Sequence, residues 1–384
     1  MITFRKNKYL WLLIIFAAAC GNKDNILDSS SIPFKNDNVI LNYTAKRLDR
    51  VRNFTSPVNL GESFYLELGK YKSVESKIWM QFKGFPEDVE VISAYLKLVP
   101  NHVYGEGNTP FTAGVYEPIE MLTNELEYDL AYYPEDYGSF EVSSTNEQAD
   151  SVFIDPQLIN RWVEAGIDTL NEINKGMLVV FNDDASFLKE YYSLNTAEID
   201  IDKIPKLYFS FIREGVIRDS IYAPYNDVFL IKGAEPDTTS EIILSNFDIY
   251  RSILFFDVSD IPKSAVVNKA LLHIDNDPDF SNVKSFEEVM ISTPLLSADW
   301  DSAEINTNTK KTGTFTRSGL EINIQTYVRN WVNGSLINNG ILLYSETEGT
   351  DARYFKFKKT QTDTLFSPRL EIYYSVPPEK HFEK

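Results

Sequence analysis

From about residue 38 to residue 376 the chain runs in short apolar stretches, many alternating with polar residues, broken by Gly, Asn, Asp and Pro. Val228-Phe229-Leu230-Ile231 and Glu241-Ile242-Ile243-Leu244 are two such runs. Alternation with a period of two places one face of a strand on a core, and turn residues between the runs predict many short strands. Two segments follow another rhythm. In Leu158-Ile159-Asn160-Arg161-Trp162-Val163 and Tyr327-Val328-Arg329-Asn330-Trp331-Val332 the apolar residues recur at i, i+1, i+4 and i+5. That spacing puts them on one face of a short helix. Asp155-Pro156 supplies a cap and first turn for the first helix, and Gly166 and Gly334 supply the stops.

Those two helices belong to an internal repeat. Ile78-Trp79-Met80-Gln81-Phe82-Lys83-Gly84-Phe85-Pro86 matches Leu254-Phe255-Phe256-Asp257-Val258-Ser259-Asp260-Ile261-Pro262, at an offset of 176. Eight residues beyond each proline an alanine opens another strand, Ala94 to Leu98 and Ala270 to Ile274. Asn174-Lys175-Gly176 before Met177 to Val180 matches Asn338-Asn339-Gly340 before Ile341 to Tyr344. Pro205 and Pro368 each lead into a last strand. Five landmarks in one order predict an all-β chain of two tandem jelly-roll β-sandwich modules, each with one short helix. The first spans 38–212 and the second 219–376, with a polar tail over 377–384. Trp79, Trp162 and Trp331 are assigned to the cores.

The N-terminus has a different character. Arg5, Lys6 and Lys8 precede the apolar run Tyr9 to Ala19. A membrane-spanning helix needs about 20 apolar residues, and positive start, short apolar core and small exit residues make a cleaved export signal over 1–19. Ala17-Ala18-Ala19-Cys20-Gly21 resembles the lipobox of bacterial lipoproteins, which implies a lipid on Cys20 and anchorage to a membrane. Cys20 is the single cysteine, so no disulfide forms within the chain. Residues 20–37 are polar and read as a tether. Gly21 stands where an inner-membrane retention Asp would be, and Lys23-Asp24 resembles the surface-export signal of Bacteroidota lipoproteins. Together these imply an exported outer-membrane lipoprotein, facing either the periplasm or the exterior.

A second resemblance rests on the repeat. Ile253 to Pro262, followed by Val267 and Ala270-Leu271-Leu272, the Trp331 helix and Asn338-Asn339-Gly340, resembles the DNRLRE-type domain. That is a jelly-roll module related to family 96 carbohydrate-binding modules. The first copy is more diverged, with Gln81-Phe82-Lys83-Gly84 in place of Asp257-Val258-Ser259-Asp260. The resemblance implies a sandwich fold and association with extracellular polysaccharide.

Charge narrows the partners. The chain carries −19, and cleavage before Cys20 leaves −22. Such acidity disfavours nucleic acid and anionic lipid surfaces. The three histidines, His102, His273 and His381, sit at no metal-ligand spacing, and no P-loop, GxSxG or dinucleotide fingerprint occurs. No cofactor is assigned. Asp275, Asp277 and Asp279 offer oxygens at alternate positions, as calcium loops do, and are candidates for a structural calcium. Tyr128, Tyr132, Tyr133 and Tyr137, in a stretch without a counterpart in the second copy, and Tyr104 in a Gly-rich loop are candidate sugar-contacting rings. Trp300 is a further candidate, although framework packing is the stronger reading of it. The sequence therefore predicts a non-catalytic surface lipoprotein that binds or presents polysaccharide. The alternatives are an adhesion or spacer protein that docks a surface protein, and a polysaccharide-degrading enzyme.

Overall fold

The computed structural model describes residues 40–377 apart from 56–59, 106, 108, 123–127, 168–173, 234–241, 248, 277–280, 282–287, 302–304 and 358–367. The assigned export signal, Cys20, the tether and almost all of the tail lie outside the described residues. The strands up to the first helix are β1 (Ile40–Arg47), β2 (Arg50–Thr55), β3 (Tyr65–Tyr71), β4 (Val74–Gln81), β5 (Glu90–Leu98), β6 (Pro100–Tyr104), β7 (Phe111–Tyr116), β8 (Ser139–Val142) and β9 (Asp150–Ile154). Helix α1 (Pro156–Ile167) is followed by β10 (Met177–Phe181), β11 (Leu188–Tyr192), β12 (Lys206–Arg213), β13 (Val216–Tyr222) and β14 (Asn226–Lys232). Then come β15 (Ile242–Ser245), β16 (Tyr250–Phe255), β17 (Val266–Asp275), β18 (Glu288–Pro294), β19 (Lys311–Phe315) and β20 (Gly319–Asn323). Helix α2 (Gln325–Asn333), β21 (Ile341–Ser345), β22 (Tyr354–Phe357) and β23 (Arg369–Val376) complete the chain. The protein is an all-β sandwich fold, about half strand, with α1 and α2 its two α-helices among the described residues.

Both helices bury the faces their spacing predicts. Leu158, Ile159, Trp162 and Val163 enter the first core, and Tyr327, Val328, Trp331 and Val332 the second. Asp155 accepts the Gln157 amide at 2.9 Å at the start of α1. Gly334, at φ 79°, ends α2 in the left-handed conformation glycine tolerates. The repeated Asn-x-Gly is a clamp. Asn174 Oδ1 accepts from the Gly176 amide at 2.9 Å while its Nδ2 donates to the Phe82 carbonyl at 2.6 Å. Asn338 repeats this with Gly340 at 3.2 Å and the Phe256 carbonyl at 2.8 Å.

The two copies build equivalent sandwiches. In the first, β13-β12-β5-β9 faces the larger sheet β6-β11-β3-β4-β10-β7-β8, to which β14 adds through β4. In the second, β1-β23-β17-β20 and β19-β18-β21-β16-β2 are the matching halves, joined by β19–β20 into one curled sheet of nine strands. Each core fills with alternate residues of its own strands, Ile78, Met80, Leu96 and Phe209 in the first, Leu254, Ala270, Leu272 and Ile372 in the second.

Strand pairing does not follow the boundaries 38–212 and 219–376. β1 and β13 begin at residues 40 and 216, and β2 and β14 at 50 and 226, so both pairs stand at the repeat offset. Yet β1 pairs with β23 of the second copy, and β13 with β12 of the first. β2 pairs with β16, and β14 with β4. The opening strands of each copy complete the sandwich of the other. The reason is partly local. Arg213 faces Val216 across a two-residue loop, and Glu214 (φ 53°) and Gly215 (φ 74°) are both left-handed, which makes a tight hairpin that carries β13 back onto β12. Residues 41–376 accordingly form one compact unit.

An apolar layer between the copies accompanies the exchange. Trp79, Leu178, Val180, Val228 and Leu230 meet Ile243, Phe247, Ala352 and Tyr354. Trp79 is thus buried between copies rather than inside the first sandwich, with its indole N–H donating to the Lys175 carbonyl at 2.9 Å.

Two outcomes follow. Fragments 38–214 and 215–376 should each remain unfolded or aggregate alone, since each lacks two strands, and should assemble one-to-one when co-expressed. Size-exclusion chromatography would read this, and two separately folded monomers would contradict the pairing. The second concerns Asp227 on β14, which is 3% exposed and accepts the Leu194 amide at 2.7 Å. Burial pushes its carboxyl up to about 7, against the partial opposition of that amide. An acid raised on folding binds a proton more tightly in the native state. Its contribution is fully present below the unfolded value of about 4 and is lost as pH rises through about 7. Asp227→Asn should flatten the pH dependence of the melting temperature across that window and raise it by a few degrees at pH 8. An unchanged profile would exclude the effect.

Candidate functional site

The residues assigned from sequence scatter. Tyr104 is buried at 2% exposure, and its hydroxyl donates to Glu190 Oε2 at 2.8 Å. Tyr137 is also buried; its hydroxyl donates to Glu135 Oε2 at 2.7 Å and accepts from Arg161 Nη2 at 2.7 Å. Neither ring offers a face to a ligand, so both assignments are corrected to framework. The cause is the same in each: a ring at a loop end lies against the sheet, and its hydroxyl meets a carboxylate there.

Tyr128, Tyr132 and Tyr133 do share one surface. Pro118 bridges Tyr132, and the Tyr133 amide donates to the Glu117 carbonyl at 2.9 Å. This lays Leu130 and Tyr132 over the apolar layer around Trp79. Tyr132 is half-buried and packs on Tyr116 at 4.8 Å. Tyr128 is half-buried between Lys77 and Lys232, whose ammonium groups lie 4.2 and 4.4 Å from its ring centre. Its hydroxyl donates to Glu75 at 3.0 Å. Glu75 also pairs with Lys70 at 2.7 Å and Lys232 at 3.1 Å. Burial pushes the Glu75 carboxyl up, but the donors Lys70, Lys232 and Tyr128 outweigh it and hold it at about 2. Lys77, more buried, is pulled below the usual lysine range by desolvation, with Asp129 opposing. Of the three tyrosines only Tyr133 is exposed, with the Lys175 ammonium 5.7 Å from its ring.

Trp300 belongs to the second copy. Its N–H donates to the Asn339 carbonyl at 2.9 Å, and Arg50 lies 4.9 Å over its ring. It packs on Ile253, Leu295 and Leu342, so framework is its role. Of the calcium candidates, Asp277 and Asp279 lie outside the described residues. Asp275 stands beside Asn276, whose Oδ1 accepts the Ser281 hydroxyl at 3.0 Å. Among the described residues no group of three or more His, Cys, Asp or Glu is arranged to hold a metal, and no helix is long and apolar enough to cross a membrane.

A cleft of about 590 Å³ lies at the end of β4, beside α1. Alternation aims Glu75, Lys77, Trp79 and Gln81 to one side of β4, so the strand leads from the Tyr128 cluster to the cleft. Phe85 and Met121 give it apolar walls, and the exposed Lys83 and Glu87 supply polar groups; Trp162 borders it but is 2% exposed, and Gln81 and Asn174 are spent on backbone partners. Phe85 stacks on Tyr222 at 5.2 Å and tilts against Trp162 at 5.9 Å, so β13 buttresses the wall. Lys83 caps the exposed ring of Tyr225 at 3.7 Å. An apolar wall beside a few polar groups is what small polar ligands with apolar faces require. None of these residues was assigned to a site from sequence. The one signal was Gln81-Phe82-Lys83-Gly84, where the first copy departs from the second.

No protein-family model matches this chain, and no significant match to a curated protein is found.

Proposed function

We propose that the chain is a non-catalytic, lipid-anchored surface protein that holds extracellular polysaccharide, with the cleft of the first copy as a contact site. The observation that carries this reading is the pairing of Phe85 and Met121 with Lys83 and Glu87 around one opening. Sugar rings present C–H faces and hydroxyl edges, and this lining offers a partner for each. The repeat and its resemblance to DNRLRE-type modules support the same reading, as does the lipobox around Cys20. The strand exchange favours a second reading as an adhesion or spacer protein, because chains pulled at either end meet paired strands.

Affinity gels carrying neutral or acidic polysaccharides, with and without calcium, test the first reading. At least one gel should retard the protein, and Phe85→Ala should weaken retention about tenfold in protein that circular dichroism shows still folded, at a melting temperature lowered by the lost contacts with Trp162, Phe209 and Tyr222. Free migration in every gel would sink the reading and leave the adhesion role. The anchor is tested separately. Cys20→Ala should move the protein from the membrane fraction to the soluble exported fraction, and an unchanged distribution would refute lipidation.

A further inference from the structure

The sheet β13-β12-β5-β9 turns its inner side to the first core with Ala94, Leu96, Val152, Ile154, Leu207 and Phe209. Its outer side carries an unbroken row. Phe153 on β9 faces Tyr95 on β5, Tyr95 faces Tyr208 on β12, and Tyr208 faces Ile221 on β13. Phe153 is 81% exposed and Ile221 60%. The Tyr95 and Tyr208 rings stack at 4.6 Å with 1° between their planes, and Phe153 lies 6.3 Å from Tyr95. Four strands at their usual spacing make a platform about 15 Å long.

The second copy shows that the fold does not require this row. At the matching pairings of β17 with β20 and β23 stand Asn323, Leu271 and Glu371. The same sheet therefore forms with an amide, an aliphatic and a carboxylate where the first copy places three aromatic rings. Phe153 and Ile221 are exposed and Tyr95 and Tyr208 between them half-buried, and a continuous apolar row of this extent on an outer face marks an interaction site.

The surroundings narrow the occupant. On one side of the row Lys97 faces Lys206, and Lys206 is already paired with Asp202 at 3.3 Å. On the other side Ser93 faces Ser210, whose hydroxyl donates to Asp219 at 2.6 Å. Positive and negative groups flank the rings in balance, on a chain of net charge −19 that repels polyanions. Charge complementarity therefore favours an uncharged partner. Ring faces carry partial negative charge, which suits the polarised axial C–H bonds of a flat sugar ribbon, with Lys and Ser to meet its hydroxyls.

We infer that this face is a second binding platform, taking a neutral β-1,4-linked polysaccharide laid across the strands. This rests on the polysaccharide-holding reading above and is separable from it. The full chain, solubilised with its anchor, is tested on insoluble cellulose and on glucomannan as neutral chains, and on polygalacturonate as an acidic one. The substitutions Phe153→Asn, Tyr95→Leu and Tyr208→Glu together install the residues of the second copy. They should lower affinity for the neutral chains about tenfold at unchanged melting temperature. If the triple variant does not fold, Phe153→Ala alone, at a fully outward position, should cost about threefold. Equal binding by wild type and the folded variant overturns the platform while leaving the polysaccharide reading intact. So does binding abolished by Phe85→Ala alone, or binding of polygalacturonate without the neutral chains. Wild-type protein that binds none of the three overturns the platform.

Discussion

Everything in the architecture depends on four strand pairings: β1 on β23, β2 on β16, β13 on β12 and β14 on β4. A sheet edge exposes a row of unsatisfied N–H and C=O groups. Each sandwich covers such edges with strands that the repeat assigns to its neighbour. The two copies are thereby bound by backbone hydrogen bonds as well as by the apolar layer around Trp79 and Tyr354. An ordinary interface between domains has only the second kind of contact, and domains so joined move relative to one another. Here backbone pairing fixes the copies to each other, and β13 and β14 do double duty. β13 braces the Phe85 wall of the cleft and carries Ile221 of the platform, while β14 carries Lys232 of the Tyr128 cluster.

The same frame is used twice to different ends. Both copies keep the helix with its buried tryptophan, the Asn-x-Gly clamp and the two facing sheets. They differ where the frame is indifferent. Residues whose side chains leave the sheet outward are free to change, and the first copy has put Tyr95, Phe153 and Tyr208 there, whereas the second has Leu271, Asn323 and Glu371. Likewise Leu130 and Tyr132 pack on the layer around Trp79 in the first copy, and Trp300 packs under Arg50 in the second.

Much of this was legible in the residues. Apolar spacing located both helices and their buried faces, and the offset of 176 tied together strands that prove equivalent. Periodicity reports which side of a strand is apolar, but not what covers the other side. Trp79 alternates correctly and was placed in a sandwich core, yet it lies between copies. Tyr104 and Tyr137 looked like loop aromatics because the carboxylates that accept their hydroxyls, Glu190 and Glu135, cannot be paired with them by spacing alone. The partner of β1 lies more than 300 residues away in sequence, and the local pattern of eight residues holds no record of it. The aromatic row was hidden for a related reason, since its members come from four strands and align only once register is known.

The pairing of β1 with β23 also sets an order in time. Among the described strands, β1 and β2 are made before the others, and their partners β23 and β16 come much later in the chain. β1 and β2 must wait for β16 and β23, whereas β13 and β14 find β12 and β4 already present. The first sandwich can therefore close as soon as residue 232 has emerged, and the second only when the last strand arrives. Such long-range closure is slow and leaves strand edges open meanwhile. In a chain of this design the first sandwich is complete while the second still waits, and β1 and β23 are locked together in the final step.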